Sequence, residues 1–461
     1  MMKGKINGIR VWSKSRWTAY RTIIMLAAPI TFQNLASSSL GMLNTVMLGK
    51  SGDAVIASVG LVNQYFFNIM LIMSGISSGC GVFVSQFFGQ KNHENIRKTL
   101  AVSFISNLVI AVPFSVISFF IPEAIMGIFS KDPELISTGS TYMRIIMFSV
   151  LPLCISGVLA AALRSLHETK LPMIASVSAL LCNTLLNFVL IFGAFQIPAM
   201  GFRGAAYATL ISRIFECVLL LLAFRKHIRQ YFTAGFSLFA VKLDAAFIKP
   251  FLTTTVHMTL NDWLYGLATT VYMIAYAHAG IEALTALQVA GTIQNMTFVL
   301  IGGYSAAVSI TIGRQVGANQ LEEAYRDGFR YLKLAVVLGI LCGGTIAAIS
   351  PLVTKLFDLS DRAYELVIKI LVVYAAFMFV RFFNYISLTG VFRGSCDTRW
   401  VMFLELTTVW VIAVPMAFLG AYVFKLEIHY MLLLVMLEEV VKAAFVIPRM
   451  KSRKWLRPIQ L

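Results

Sequence analysis

The sequence predicts an all-α integral membrane protein of twelve transmembrane helices in two pseudo-symmetric six-helix lobes. Three observations predict it: an apolar composition, basic residues gathered on alternate loops, and an internal repeat. The chain is 58% hydrophobic and 13% charged, with a mean hydropathy of +0.80, whereas soluble chains carry about 25% charged residues. Its formal net charge of +17 would suggest nucleic acid in a soluble protein. Here the basic residues lie in short loops between apolar runs, so they read as topology signals, and no nucleic-acid partner is expected.

Each crossing needs about 20 mostly apolar residues. Dividing the chain at its charged and Pro/Gly breaks places spans near 22–48, 54–85, 99–121, 135–162, 171–195 and 204–224, then 247–277, 283–312, 332–354, 364–392, 400–424 and 429–448. The expected organisation is a cytoplasmic tail (1–21), an N-terminal lobe (22–224), a cytoplasmic linker (225–246), a C-terminal lobe (247–448) and a basic cytoplasmic tail (449–461). The opening "MMKGKINGIRVWSKSRWTAYR" is followed by an apolar run too long for a signal-peptide core, with no small-residue cleavage site. Cys80, Cys154, Cys182, Cys217, Cys342 and Cys396 form no CxxC and meet no histidine cluster. Neither a disulfide framework nor a zinc site is implied.

With both termini inside, the inward segments hold 27 Lys and Arg and the outward loops 6. That asymmetry is the positive-inside bias, and it supports an even number of spans in the cell (inner) membrane. The repeat lies across the central linker. At an offset of 228, "GDAVIASVGLVNQ" (52–64) falls on "GIEALTALQVAGT" (280–292), and "SQFFGQKNHE" (85–94) on "GRQVGANQLE" (313–322). Near 229, "LAAALRSLHETKLPM" (159–173) falls on "LTGVFRGSCDTRWVM" (388–402), matching Arg164 with Arg393 and Thr169 with Thr398. Parallel repeats related by an axis along the membrane normal are a common transporter plan, with substrate between the halves.

Ionisable residues inside spans are costly unless paired or facing a wet cavity. Before residue 200 only Arg144 qualifies; after it come Arg213, Glu216, Asp262, Lys369, Arg381, Glu405, Glu438, Glu439 and Lys442. Arg213 with Glu216, and Lys442 with Glu438 and Glu439, stand at helical ion-pair spacing. Arg381 and Glu405 each lie twelve residues from Arg393, so a helical hairpin brings them to similar depth and predicts a pair between them.

Asp262 has no evident partner. It sits near the middle of its span, and His257, Asn261 and Tyr265, with Thr254, Thr269 and Tyr272 beyond, extend a polar stripe at helical spacing. The stripe predicts a wet cavity, and a carboxyl there is able to exchange a proton or hold Na⁺. The plain alternative is a structural Asp bonded to neighbouring hydroxyls. Subtracting the repeat offset leads to Asn34, an amide where the other half has an acid. Coupling is therefore expected in the C-terminal half.

Many fragments in order, among them "APITFQN", "TVMLGKSG", "VSQFFGQKNHENIRK", "GFRGAAYATLISRIFE", "LNDWLYGLATTVY", "FRGSCDTR" and "EEVVKAAF", resemble the multidrug and toxic compound extrusion (MATE) transporters, within the multidrug/oligosaccharidyl-lipid/polysaccharide exporter superfamily. The resemblance covers nearly the whole chain. It implies a V-shaped pair of lobes that exports cationic, amphipathic compounds in exchange for H⁺ or Na⁺. It places Asp262 at the seventh-helix acid, usually Glu, used for cation coupling, and Glu405 at an eleventh-helix acid. Asn44 stands at the first-helix Asp of the pattern VDTxMxG, written here "LNTVMLG". Asn187 and Asn384 stand at fifth- and tenth-helix positions that are Asp in some branches. Asp262, with Glu405 as a second group, is thus left to couple a proton; Na⁺ would need further oxygens, from Asn261, Asn384 and nearby hydroxyls.

Gln33, Asn34, Gln64, Tyr65, Asn68, His257, Tyr265, Gln288, Asn295, Met296 and Phe298 are the candidate cavity residues, a mixture suited to loosely specified organic cations. Simple packing between helices is the alternative for each. A lipid-linked oligosaccharide flippase would want basic residues in its cavity, and before residue 200 only Arg144 stands within a span. A membrane enzyme would want a nucleophile, base or metal constellation, and HExxH and paired-acid motifs are missing. A transporter-derived sensor is the remaining alternative. The expected unit is monomeric, embedded in the bilayer, without cofactor or ATPase subunit.

Overall fold

Residues 20–39, 47–48, 53–194, 196–228, 243–354 and 360–459 are described by the structure, a computed structural model. Helix α1 covers 20–39. There follow α2 (Asp53–Gly89), α3 (His93–Phe120), the short α4 (Pro122–Phe129), α5 (Pro133–Ile146), α6 (Val150–Ser165), α7 (Lys170–Phe192) and α8 (Gly201–Ile228). The second half holds α9 (Ala245–Ala277), α10 (Ile281–Gly317), α11 (Leu321–Thr354), α12 (Asp361–Tyr385), α13 (Thr398–Thr407), α14 (Val414–Phe418) and α15 (Ile428–Lys451). A 3₁₀ turn at Met147–Ser149 joins α5 to α6, and π-helical turns at Ile386–Phe392, Thr408–Ala413 and Leu419–Val423 extend α12, link α13 to α14 and follow α14. Leaving out the short α4 and counting α5–α6 and α13–α14 as single crossings, the described helices make twelve spans.

Among the described residues, nine helices are long and apolar enough to cross a membrane by length and composition. The other three spans are α1, α9 and α15. In α15, Glu438, Glu439 and Lys442 fall within one stretch, and α9 carries Asn261 and Asp262. Large apolar side chains such as Val109, Leu185 and Phe403, 66–70% exposed, point outward as lipid-facing residues do. Caps follow the local sequence: Asn92 accepts from the Asn95 amide at the start of α3, and Ser360 from the Ala363 amide at the start of α12.

The repeat is written in the backbone. Lys91 (φ 56°) and Asn319 (φ 58°) are left-handed at an offset of 228, and His167 (68°) with Cys396 (65°) and Gln196 (68°) with Lys425 (45°) at 229. The first two close α2 and α10 identically. Asn92 N donates to Phe87 O (2.9 Å) and Lys91 N to Phe88 O (3.1 Å), as Gln320 N does to Gln315 O (2.9 Å) and Asn319 N to Val316 O (3.0 Å). This is a helix end sealed by a left-handed residue. The loops after the spans 133–165 and 361–392 match too: Glu168 N donates to Leu163 O and Asp397 N to Phe392 O, both at 2.9 Å.

Two compact units result, and both divisions fall inside helices. Among the described residues, one unit lies within 32–259 and the other is 20–31 with 260–459. The cuts after Thr31 and Thr259 are themselves 228 residues apart. In the unit 32–259, a Cβ on Gly75 of α2 would stand 2.7 Å from Thr259 Cα; in the other unit, a Cβ on Gly303 of α10 would stand 2.6 Å from Thr31 N. Glycine at both places lets two helix backbones close up, the small-residue contact that membrane helices use. The first helix of each half therefore contributes its leading turns to the unit formed mainly by the opposite half. The segment 225–246, expected as the linker, is described only at 225–228 and 243–246.

Candidate ion-coupling site

Asp262 has a partner after all. Arg393, at the end of the π-helical turn following α12, donates through Nη2 to Asp262 Oδ1 (2.5 Å) and through Nη1 to Oδ2 (3.3 Å). The Arg393 side chain is 10% exposed and that of Asp262 27%, so the fork closes over a half-buried carboxylate. The preceding residue, Asn261, is buried and donates through Nδ2 to Glu405 Oε2 at 2.7 Å. Neighbouring residues of one helix thus reach two different elements, because successive helical side chains point about 100° apart. The reading of Asp262 as unpartnered missed Arg393, which counts as a topology charge in the sequence because it ends a span.

The expected Arg381–Glu405 pair does not form. Arg381 turns to α15, with Nε 3.7 Å from Glu439 Oε1, while Glu405 is taken by Asn261. Residue count along a hairpin sets depth, not the face a side chain occupies. The Arg381 guanidinium lies 4.8 Å from the Phe298 ring centroid and 5.7 Å from that of Tyr374, both within cation–π reach. With Gln294 turned so that its oxygen faces the guanidinium, Arg381 Nη1 and Nη2 donate to it at 2.7 and 2.8 Å. Asn384 donates to Glu439 Oε2 and to Glu439 O, both at 2.7 Å. Lys442 Nζ sits 3.3 Å from Glu438 Oε1 and 5.5 Å from the Tyr265 ring centroid.

At Asp262 both carboxylate oxygens face a guanidinium, while Asn261 and Asn384 donate through their amide nitrogens to Glu405 and Glu439 and keep buried amide oxygens with no hydrogen-bond partner among the described residues. The polar stripe of α9 is also divided, with Thr254 and His257 in the unit 32–259 and Asn261, Asp262, Tyr265, Thr269 and Tyr272 in the other.

The N-terminal family positions carry amides. Asn187 donates to Asn183 Oδ1 (3.0 Å), Asn34 is half-buried, and Asn44 lies outside the described residues. Gln33 is buried and donates to Ser176 Oγ (3.2 Å), which donates to Glu216 Oε1 (2.6 Å); Glu216 Oε2 accepts from Arg213 Nη1 at 2.8 Å. Arg213 and Glu216 are thus a local pair, as their spacing implies. Arg144 pairs with Glu123 at 2.8 Å.

Of the remaining cavity candidates, Gln64, Asn68, Gln288, Asn295 and Met296 are exposed, and Tyr65, His257, Tyr265 and Phe298 are half-buried. Asn68 Nδ2 returns to Gln64 O (2.8 Å), and Ser118 Oγ donates to Tyr65 OH at 3.4 Å.

Two similar sets of bilayer-crossing helices with buried, partnered acids fit a multi-pass membrane transporter. The MatE family model matches the chain twice, over residues 29–189 and 254–419, copies that begin and end about one repeat apart. The chain belongs to the MatE family. Among curated relatives, it is 24% identical over 415 residues to "Probable multidrug resistance protein NorM" of Thermotoga maritima, covering 88% of this chain and 86% of that one. It is 26% identical over 412 residues to "Multidrug resistance protein NorM" of Burkholderia vietnamiensis, covering 86% of each. A solved MATE structure in the bent conformation superposes with a TM-score of 0.86 at 18% identity, covering 95% of this chain and 96% of that one. An outward-facing multidrug resistance MATE transporter of the MOP superfamily superposes with a TM-score of 0.85 at 18% identity, covering 95% and 97%.

Proposed function

We propose that this protein is a secondary antiporter that exports cationic, amphipathic organic compounds in exchange for H⁺, from a cell membrane in which both termini are cytoplasmic. The observation that carries the coupling is the pair of adjacent contacts on α9, Asp262 to Arg393 and Asn261 to Glu405. Protonation of Asp262 turns a charge-assisted fork into a single weak contact and frees Arg393. Protonation of Glu405 leaves an acid that has a proton of its own to donate, so its bond with Asn261 must rearrange. Either event alters how α9 is held. An organic cation and a proton compete for the same carboxylates, which is the exchange an antiporter needs. The multidrug resistance names of the NorM relatives support the substrate class, and the Arg393 guanidinium beside Asp262 supports H⁺ over Na⁺.

The test is export of a cationic dye from reconstituted vesicles, wild type against Asp262→Asn, with pH and Na⁺ gradients imposed separately. Transport in the wild type driven by the pH gradient and absent in the variant is the expected result. Na⁺-driven transport, or full activity in the variant, overturns the assignment.

A further inference from the structure

Asp262, Glu405, Glu438 and Glu439 meet Arg381, Arg393 and Lys442 in one unit: four acids against three bases. Fully ionised, the set carries one uncompensated negative charge inside a membrane protein, which is costly, and one bound proton removes it. The contacts indicate where that proton sits. Asp262 has the Arg393 fork, Glu439 has Asn384 and Arg381, and half-buried Glu405 has Asn261. Glu438 is 5% exposed. Its Oε1 faces Lys442 at 3.3 Å, but its Oε2 is sealed from solvent with no hydrogen-bond partner among the described residues. A carboxylate oxygen bare in a dry interior is expensive; a protonated one is neutral.

The surroundings give Glu438 no second base of its own. On α15 it faces Lys442 and Glu439, from α12 Arg381, and from α9 Tyr265, Tyr272 and Tyr276. The α13–α14 span contributes Glu405, which acts on Lys442. Lys442, 2% exposed, stands four residues after Glu438 and three after Glu439, so one ammonium serves two carboxylates.

We propose that Glu438 is a resident proton site, held as a neutral carboxylic acid against Lys442 and separate from the Asp262–Glu405 contacts. Binding is antagonistic: a proton arriving at Glu405 makes the set net positive, and loss of the Glu438 proton restores neutrality. Lys442, facing both acids, transmits the effect. This role in transport rests on the antiport reading; occupancy of the site does not.

The test is infrared difference spectroscopy of the purified protein in lipid at neutral pH, reading the protonated-carboxyl C=O band that shifts on deuteration. The expected band is present in wild type, unmoved in Glu405→Asp, which keeps the charge count, and lost in Glu438→Gln. A band that survives in Glu438→Gln, or no band in wild type, overturns the proposal. Should Glu438→Gln fail to fold, Lys442→Met decides: removing a base leaves two excess charges, so the band should roughly double, and an unchanged band sinks the idea. Wild-type vesicles that ignore a pH gradient overturn the antiport reading while leaving the band result standing.

Discussion

At the scale of the residue, Asp262 illustrates how a charge is kept in a bilayer. Its cost is met by Arg393, and removing one member of such a pair costs about 3 kcal/mol because the other charge is left behind. Arg393→Gln should therefore lower thermal stability in detergent more than the double variant Asp262→Asn/Arg393→Gln, while both fail to export dye against a pH gradient. Equal stability of the single and double variants would mean the fork contributes nothing net. Two buried acids nearby are handled differently, Glu439 by an amide and a guanidinium and Glu438 by one ammonium.

At the scale of the element, helices are positioned by what they lack. Gly75 and Gly303 hold equivalent places, and an added Cβ would press on the backbone of Thr259 or Thr31. Gly75→Ala and Gly303→Ala should each lower the melting temperature, by about 1–3 kcal/mol of overpacking. Indifference at both would show that the crossings relax freely. The π-helical turns at Ile386–Phe392 and Thr408–Ala413 flank the coupling contacts. Such turns insert one extra residue per turn and often lie at functional sites; here the first delivers Arg393 and the second follows the helix that carries Glu405.

At the scale of the whole molecule, the terminal segment is structural. Arg449 Nε and Nη2 donate to Asp397 at 2.8 and 2.9 Å, Trp455 is fully buried and 6.0 Å from Phe392 between ring centroids, and Arg453 forks onto Glu322 at 2.7 and 3.2 Å. This segment ties the loop bearing Arg393 to α15. Trp455→Ala should cost about 3–5 kcal/mol through the cavity left behind, seen as a lower melting temperature. Burial holds the Asp397 carboxyl above its ordinary range, against the opposing pull of Arg449 and Arg457. A raised acid is disfavoured in the fold when ionised, so the penalty of Arg449→Met should be full at neutral pH. It should shrink as pH falls through that raised value. A difference in melting temperature that does not narrow on acidification would place the role of Arg449 in packing.

By itself the sequence determined the solvent, the number and approximate bounds of the spans, and the repeat, because hydropathy, charge asymmetry and internal similarity are linear properties of a chain. The offset of 228–229 read from letters returns in the left-handed backbone at Lys91 and Asn319 and at His167 and Cys396. It also singled out Asp262 and Glu405. Only the tertiary structure decided their partners. Arg393 looks like a loop charge, Arg381 looks paired with Glu405, and the last basic residues look like a solvated tail. Depth along a helix is legible from residue count, but the face a side chain takes depends on how each helix is rotated against its neighbours. That rotation is set by packing contacts between residues more than a hundred positions apart, such as Asn261 with Glu405 and Arg393 with Asp262.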